Sequence, residues 1–362
     1  MKALLRKSIS MRPVQIGYLT ILLFLGIGFG CQKATENGKR MNDMHVLGSH
    51  NSYKLAIDES LKKVMEERKA GSVRGLEYSH VSLTEQLNLG LRKLEIDVLY
   101  DPNGGLYAQP YGYTALKKMG LEVSEFDPKG IMNEPGFKVL HIPDVDFRSN
   151  CLTFKLCLEE VKRWSDENPD HLPIAIMMNA KDGGVGGEGF VEPLGFDSVA
   201  FAAWDKEILD VFEREQLLLP DDVRGKYATL EEAVLTDGWP LLTEVKGKVY
   251  FILDHGGEKL ATYIKHHPSL KGRVMFVNAD EGTPEAAFMV INNPIDDQQR
   301  IKEMVAKGYL VRTRSDANTN EARNNDYSMF EAAKSSGAQI ISTDYYLPDT
   351  LFGTGFHIEL DH

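Results

Sequence analysis

Eight short apolar runs recur along this chain, and most of the gaps between them carry the 3.6-residue spacing of an amphipathic helix. That alternation limits the fold more than any other feature of the sequence. The runs are "MHVLG", "LRKLEIDVLY", "FKVLHI", "LPIAIMMNA", "KVYFILD", "RVMFVNA", "GYLVRTR" and "AQIISTD". Continuously apolar strands are buried on both faces, the condition of parallel strands covered by helices. Between them, "SLTEQLNLG" offers Ser82 or Thr84 as a helix N-cap, and "LCLEEVKRWSDEN" puts Leu158, Val161 and Trp164 at helical spacing. "VAFAAWDKEILDVFERE" is a longer amphipathic helix, and "DYSMFEAAKSSGA" ends at Gly337, a residue suited to a left-handed C-cap. Eight such units in roughly 320 residues fit a single closed (β/α)8 barrel. A doubly wound open sheet is the alternative. It would place a glycine-rich phosphate loop after the first strand, where this chain has "LGSHNS". The glycine-rich "KDGGVGGEGF" follows the fourth run and reads as a rim loop.

The 362 residues are 43% hydrophobic and 26% charged, enough for one large core. The net charge of -12 argues against a nucleic-acid partner. The first residues stand apart. Lys2, Arg6, Lys7 and Arg12 flank and precede an almost uninterrupted apolar stretch, Val14 to Phe29, and "GFGC" ends at Cys31: the pattern of an export signal. A cysteine after small residues resembles the lipobox of bacterial lipoproteins, in which the cysteine is lipidated, although Gly28 stands where a leucine-like residue is usual. A plain cleaved signal or an uncleaved anchor is the alternative, the apolar run being short of the roughly 20 residues a span needs. The reading is therefore a signal at 1–31, a polar tether at 32–43 and a barrel at 44–362. It implies an exported protein, either a lipoprotein of the bacterial cell envelope held to a membrane surface through its N-terminus or a secreted one. If Cys31 is lipidated, Cys151 and Cys157 remain as a close pair in an oxidising compartment, and a disulfide is expected across "CLTFKLC", two buried free thiols being the alternative.

In a barrel of this type the chemistry lies at the C-terminal ends of the strands. The polar residues there are His50 and Asn51; Glu95 and Asp97; His141 and Asp144; Asn179, Lys181 and Asp182; Asp254 and His255; Asn278 and Asp280; Arg312, Arg314 and Asp316; and Asp344, Tyr345 and Tyr346. Glu95 and Asp97 are two apart on a strand and share a face. Two neighbouring carboxylates repel unless a proton or cation intervenes. A hard divalent ion such as calcium is one answer, with Asn51 adding an amide oxygen. Ion pairs to Arg92, Lys93 or the strand-seven arginines are the other. His50 and His141 at one mouth suit a general base and general acid across a phosphodiester. Arg312 and Arg314 alternate with Thr313, and a guanidinium on that face suits a phosphate or a pair of hydroxyls. His45, His80, His171, His266, His267, His357 and His362 have no such setting and read as surface or structural residues.

"GSHNSY", "LRKLEIDV" and "KVLHIPD" resemble, in order and spacing, the His-Asn, Glu-x-Asp and second-His motifs of the phosphatidylinositol-specific phospholipase C superfamily, specifically its bacterial calcium-dependent branch. The resemblance covers roughly residues 42–351. It implies that His50 contacts the phosphate and acts as base or transition-state stabiliser, that Asn51, Glu95 and Asp97 hold one calcium ion, and that His141 is the acid for the leaving group. It also implies attack on phosphorus by the inositol 2-hydroxyl, giving a cyclic phosphodiester, with Glu95 able to take the proton and Lys181 a phosphate contact. The substrate would be a phospholipid or a small phosphodiester. Asn179 departs from the pattern: that branch carries a further carboxylate there, so calcium affinity should fall unless Asp182 or Asp144 compensates. The rivals are a glycerophosphodiester phosphodiesterase, whose first His is followed by Arg-Gly where this chain has Asn51-Ser52, and an exported, non-catalytic binder of a phosphorylated polyol.

Overall fold

The computed structural model describes residues 38–360; the signal segment, Cys31 and the first half of the tether, 32–37, lie outside the described residues. Eight strands build the centre: β1 (Val46–Ser49), β2 (Lys93–Val98), β3 (Ile174–Ala180), β4 (Val249–Leu253), β5 (Met275–Val277), β6 (Phe288–Val290), β7 (Leu310–Arg314) and β8 (Ile340–Thr343). They pair in the order β5-β4-β3-β2-β1-β8-β7-β6, every pair parallel. The two ends of this sheet meet through one bridge, Asn278 to Phe288, where the Val290 N–H also donates to Asn278 Oδ1 at 3.0 Å. The sheet is thus a nearly closed (β/α)8 barrel.

Seven of the eight apolar runs are barrel strands. "FKVLHI" is not: it runs across the mouth as a loop segment, bridged antiparallel to Leu99 and Thr153 through Lys138. The eighth strand is the three-residue β6, and residues 279–287 between β5 and β6 form no helix. The outward residues Leu94, Ile96 and Val98 of β2 and Ile174, Ile176 and Met178 of β3 join one core with the covering helices Phe154–Glu167 and Ser198–Val211. Those helices begin where the sequence supplies a side-chain cap: Thr153 accepts from the Leu156 N–H and Asp197 from the N–H groups of Val199 and Ala200. Ser82 caps Leu83–Asn88 in the same way, with Glu85 returning the bond. The last helix, Ser328–Ser336, ends on Gly337 at φ 78°.

Two features tie loops to this frame. A disulfide joins Cys151 to Cys157, Cα atoms 5.3 Å apart, so the loop carrying His141 is fastened to the first turn of the helix that follows it. The folded body also begins before Met44: Met41 is fully buried, Leu242 N–H donates to Lys39 O at 2.8 Å, and the Arg40 guanidinium donates to Trp239 O at 2.5 Å.

Candidate active site

The segment Gly48–Tyr53 is shaped by its own small and polar residues. His50 N–H still bonds to Thr343 O of β8, 3.1 Å away, so the strand ends with the imidazole at the mouth. Asn51 then takes a left-handed φ of 46°, a conformation asparagine tolerates better than most residues. Beneath it Ser52 Oγ accepts from Glu95 N–H at 2.7 Å, and Gln86 Nε2 donates to Ser52 O at 2.7 Å. The turn is therefore stitched to β2 and to helix Leu83–Asn88.

His50 Nδ1 lies 3.0 Å from Asp344 Oδ1 and 3.4 Å from Arg314 Nη2. The shorter contact is to a carboxylate, which can only accept, so Nδ1 carries the proton and Nε2 keeps its lone pair. Nε2 faces Glu95 Oε1 at 3.7 Å. Burial and the Arg314 charge lower the pKa of His50 below its ordinary 6.5, against the opposing pull of Asp344 and Glu95. At neutral pH the imidazole is a free base. His141 is built alike: Nδ1 meets Asp146 Oδ2 at 2.8 Å, and Lys54, four residues past His50, pairs with Asp146 Oδ1 at 3.4 Å. Lys54 donates as well to Leu76 O and Tyr78 O, so the two histidine loops are joined through one buried ammonium.

Three residues to which the sequence reading gave no role in the chemistry contact these histidines. Asp344 and Asp146 orient the two imidazoles. His80, read from sequence as structural or surface, is buried with Nε2 at 2.7 Å from the His50 carbonyl, and its ring stacks on Tyr346 with centroids 5.4 Å apart. No local pattern in the sequence ties these three to His50 or His141; only the strand-end position of Asp344 was a signal.

The carboxylates of β2 are in place and already paired. Lys93, Glu95 and Asp97 share one face of β2, directed into the barrel, with Asn179 in register beside Asp97 on β3. Glu95 Oε2 receives Lys93 Nζ at 2.5 Å and Arg312 Nη2 at 3.0 Å, and Oε1 receives Asn179 Nδ2 at 3.4 Å. Burial raises the pKa of Glu95, but Lys93, His50 and Arg312 together hold it well below the ordinary carboxylate range. Asp97 Oδ2 receives Tyr53 Oη at 2.9 Å and Lys181 Nζ at 3.0 Å, while its Oδ1 is buried with no hydrogen-bond partner. Asn51 Nδ2 donates to Tyr78 Oη at 2.7 Å. Arg312, expected at the substrate, is buried and committed: Nε to Ser342, Nη1 to Asn292, Nη2 to Glu95. Arg314 and Lys181 reach the open side, with side chains 15% and 33% exposed.

This arrangement does not fit a calcium ion. Calcium takes six to eight oxygens, and Asp97 Oδ1 is the one carboxylate oxygen of the Glu95–Asp97 pair without a donor on it. Two carboxylates face three cations, Lys93, Arg312 and Lys181. The two residues expected to compensate for Asn179 are engaged elsewhere: Asp144 caps the N–H groups of Tyr111 and Val191, and Asp182 pairs with Lys259.

Comparison with known proteins agrees with the architecture. A calcium-dependent phosphoinositol-specific phospholipase C from the Gram-negative bacterium Pseudomonas sp. superposes with a TM-score of 0.52 at 17% identity, covering 86% of this chain and 92% of that one. A calcium-dependent phosphatidylinositol-specific phospholipase C from Streptomyces antibioticus superposes with a TM-score of 0.54 at 16% identity, covering 85% and 96%. No curated protein sequence matches this chain. The family described as phosphoinositide phospholipase C, Ca2+-dependent, matches residues 39–362. With that match spanning nearly the whole sequence, the chain belongs to the calcium-dependent phosphoinositide phospholipase C family of phosphoric diester hydrolases.

Proposed function

We propose that this protein cleaves phosphatidylinositol-like phosphodiesters by acid/base catalysis with His50 and His141. The observation that carries the reading is the pair of histidine–carboxylate dyads, His50–Asp344 and His141–Asp146, at one barrel mouth beside the half-open cations Arg314 and Lys181. His50 Nε2 takes the proton from a hydroxyl neighbouring the phosphate in the substrate; that oxygen bonds to phosphorus as the bond to the diacylglycerol oxygen breaks. His141 gives its proton to the departing oxygen, and a cyclic phosphodiester remains, which water opens by the reverse assignment. Arg314 and Lys181 offset the charge on the phosphoryl oxygens. Glu95 is a poor proton acceptor because its cations hold it ionised, so the base role rests on His50.

The test is incubation of the full chain with phosphatidylinositol and a panel of other phosphodiesters, followed by phosphorus NMR. A cyclic phosphate resonance is expected, and its absence with every diester removes the reading. The pH profile gives a second check. His50 must be neutral to act, so kcat/KM should rise with pH through a pKa lying below 6.5. An acid limb centred above 7 would be incompatible with His50 as the base.

We further propose that the protein is exported and held at the cell envelope through Cys31, which the Cys151–Cys157 disulfide supports, such bonds persisting in oxidising compartments. Cys31→Ser should abolish incorporation of radiolabelled fatty acid into the chain; unchanged labelling would sink the anchor.

A further inference from the structure

We propose that this chain carries out its phosphodiester chemistry without a divalent cation, the charges of Lys93 and Arg312 standing at the carboxylate site where the family's calcium is expected. The inference rests on the catalytic reading above and departs from the family in one respect, the source of the positive charge.

Lys93 is fitted to this position rather than placed there by chance of rotamer. It is the first residue of β2 and pairs in register with Gly48 of β1. A Cβ on Gly48 would lie 2.5 Å from Lys93 Cβ and 2.7 Å from Lys93 Cδ, so the missing side chain of Gly48 is the space through which the lysine stem passes. The stem delivers Nζ to Ser49 O at 2.9 Å and Glu95 Oε2 at 2.5 Å, with the residue fully buried. Arg312 reaches the same oxygen from across the barrel, its guanidinium fixed by Ser342 and Asn292.

Asn179 leaves the site one anion short. A carboxylate at that position would add a negative charge beside Glu95 and Asp97 and make a divalent ion the natural neutraliser. The asparagine instead turns its amide N–H toward Glu95 Oε1. Burial brings the pKa of the Lys93 ammonium down to about 7 against the pull of Glu95, while Arg312 stays charged, so with one carboxylate fewer an added divalent ion meets like charge and two seated donors, not a vacancy between anions. What a metal would do for Glu95, holding it ionised and fixed at the mouth, Lys93 and Arg312 already do. The charge on the phosphoryl group falls to Arg314 and Lys181.

Calorimetric titration of the metal-stripped full chain in detergent with calcium chloride tests this without reference to turnover. No saturable binding is expected up to about 1 mM, the weak end of the range for extracellular calcium sites. Saturable binding below that concentration, lost in Glu95→Gln, would overturn the proposal. In parallel, turnover of phosphatidylinositol with excess chelator should stay within about twofold of turnover with calcium. Activity abolished by chelator and restored by calcium would overturn it too. If no diester is turned over under any condition, the catalytic reading fails, and the titration still decides whether the site takes calcium. Lys93→Met combined with Asn179→Asp, checked for folding by circular dichroism, should open Glu95, restore an anion beside it and gain a calcium site with a Kd of about 1 mM or tighter. A folded double variant that binds no calcium contradicts the charge balance at Lys93 and Asn179 as what keeps the ion out. The wild-type titration stands if that variant does not fold.

Discussion

Turnover of phosphatidylinositol by His141→Ala should fall by about 10²–10⁴-fold, the range a positioned general acid supplies. The diacylglycerol oxygen leaves as a strongly basic alkoxide unless a proton reaches it as the bond to phosphorus breaks. In the proposed mechanism His141 gives that proton. Asp146 at 2.8 Å fixes Nδ1, and Lys54 pins Asp146 from the loop that follows His50. The disulfide at Cys151 fastens the far end of the same loop. A diester with a nitrophenolate leaving group needs little protonation, so the same variant should lose only about tenfold or less on that substrate. The ratio of the two losses is the measurement. Equal losses on both substrates would mean that His141 does something other than protonate the leaving group. Near-normal turnover of the lipid would remove it from the mechanism.

How this loop reaches the mouth also shows where sequence patterning reaches its limit. "FKVLHI" has the composition of a buried strand, and its core residues Phe137, Val139 and Leu140 are indeed fully buried. Burial and β-branched content are the same for a strand inside a sheet and for a segment packed beneath a rim, so periodicity alone cannot separate them. β6 was missed for the opposite reason. Three residues give no period, and the absence of a helix between β5 and β6 removed the alternation on which the unit count depended. The barrel was nonetheless legible, because seven continuous apolar runs with helices between most of them allow few other arrangements.

Position at a strand end was legible for His50, Asn51, Glu95 and Asp97. It was not legible where a partner arrives from a distant part of the chain. Asp344 is 294 positions from His50 and meets it only because β8 closes against β1. Lys93 was visible merely as one ion-pair option among several. Its role depends on Gly48, and a glycine says nothing until the opposite strand is in register. Arg312 and Arg314 share a face as their spacing requires, yet one is sealed beneath the mouth and the other opens onto it. That difference is one of depth along the barrel, which the spacing does not encode.

The interior charges set the second large effect, one of stability. Glu95→Gln keeps the shape of the side chain and removes its charge, leaving Lys93 and Arg312 buried within the barrel without their common partner. Breaking a buried ion pair from one side costs about 3–5 kcal/mol, because the remaining charge is neither solvated nor compensated. Denaturant unfolding at pH 7 should show a loss in that range. Its pH dependence separates an electrostatic origin from a packing one. The folded-state pKa of Glu95 lies well below its ordinary 4.5, so its contribution is fully present above that pH and is lost as pH falls beneath it. The gap between wild type and Glu95→Gln should therefore still be present at about pH 4.5 and close as pH falls below it. Lys93→Met alone should cost less, since Arg312 still answers Glu95 at 3.0 Å. The double variant should cost less than the sum of the two single ones, with a coupling of about 0.5–3 kcal/mol. Additive losses would mean that Lys93 and Glu95 do not sense each other, and the charge balance that excludes a divalent ion from this barrel would lose its basis.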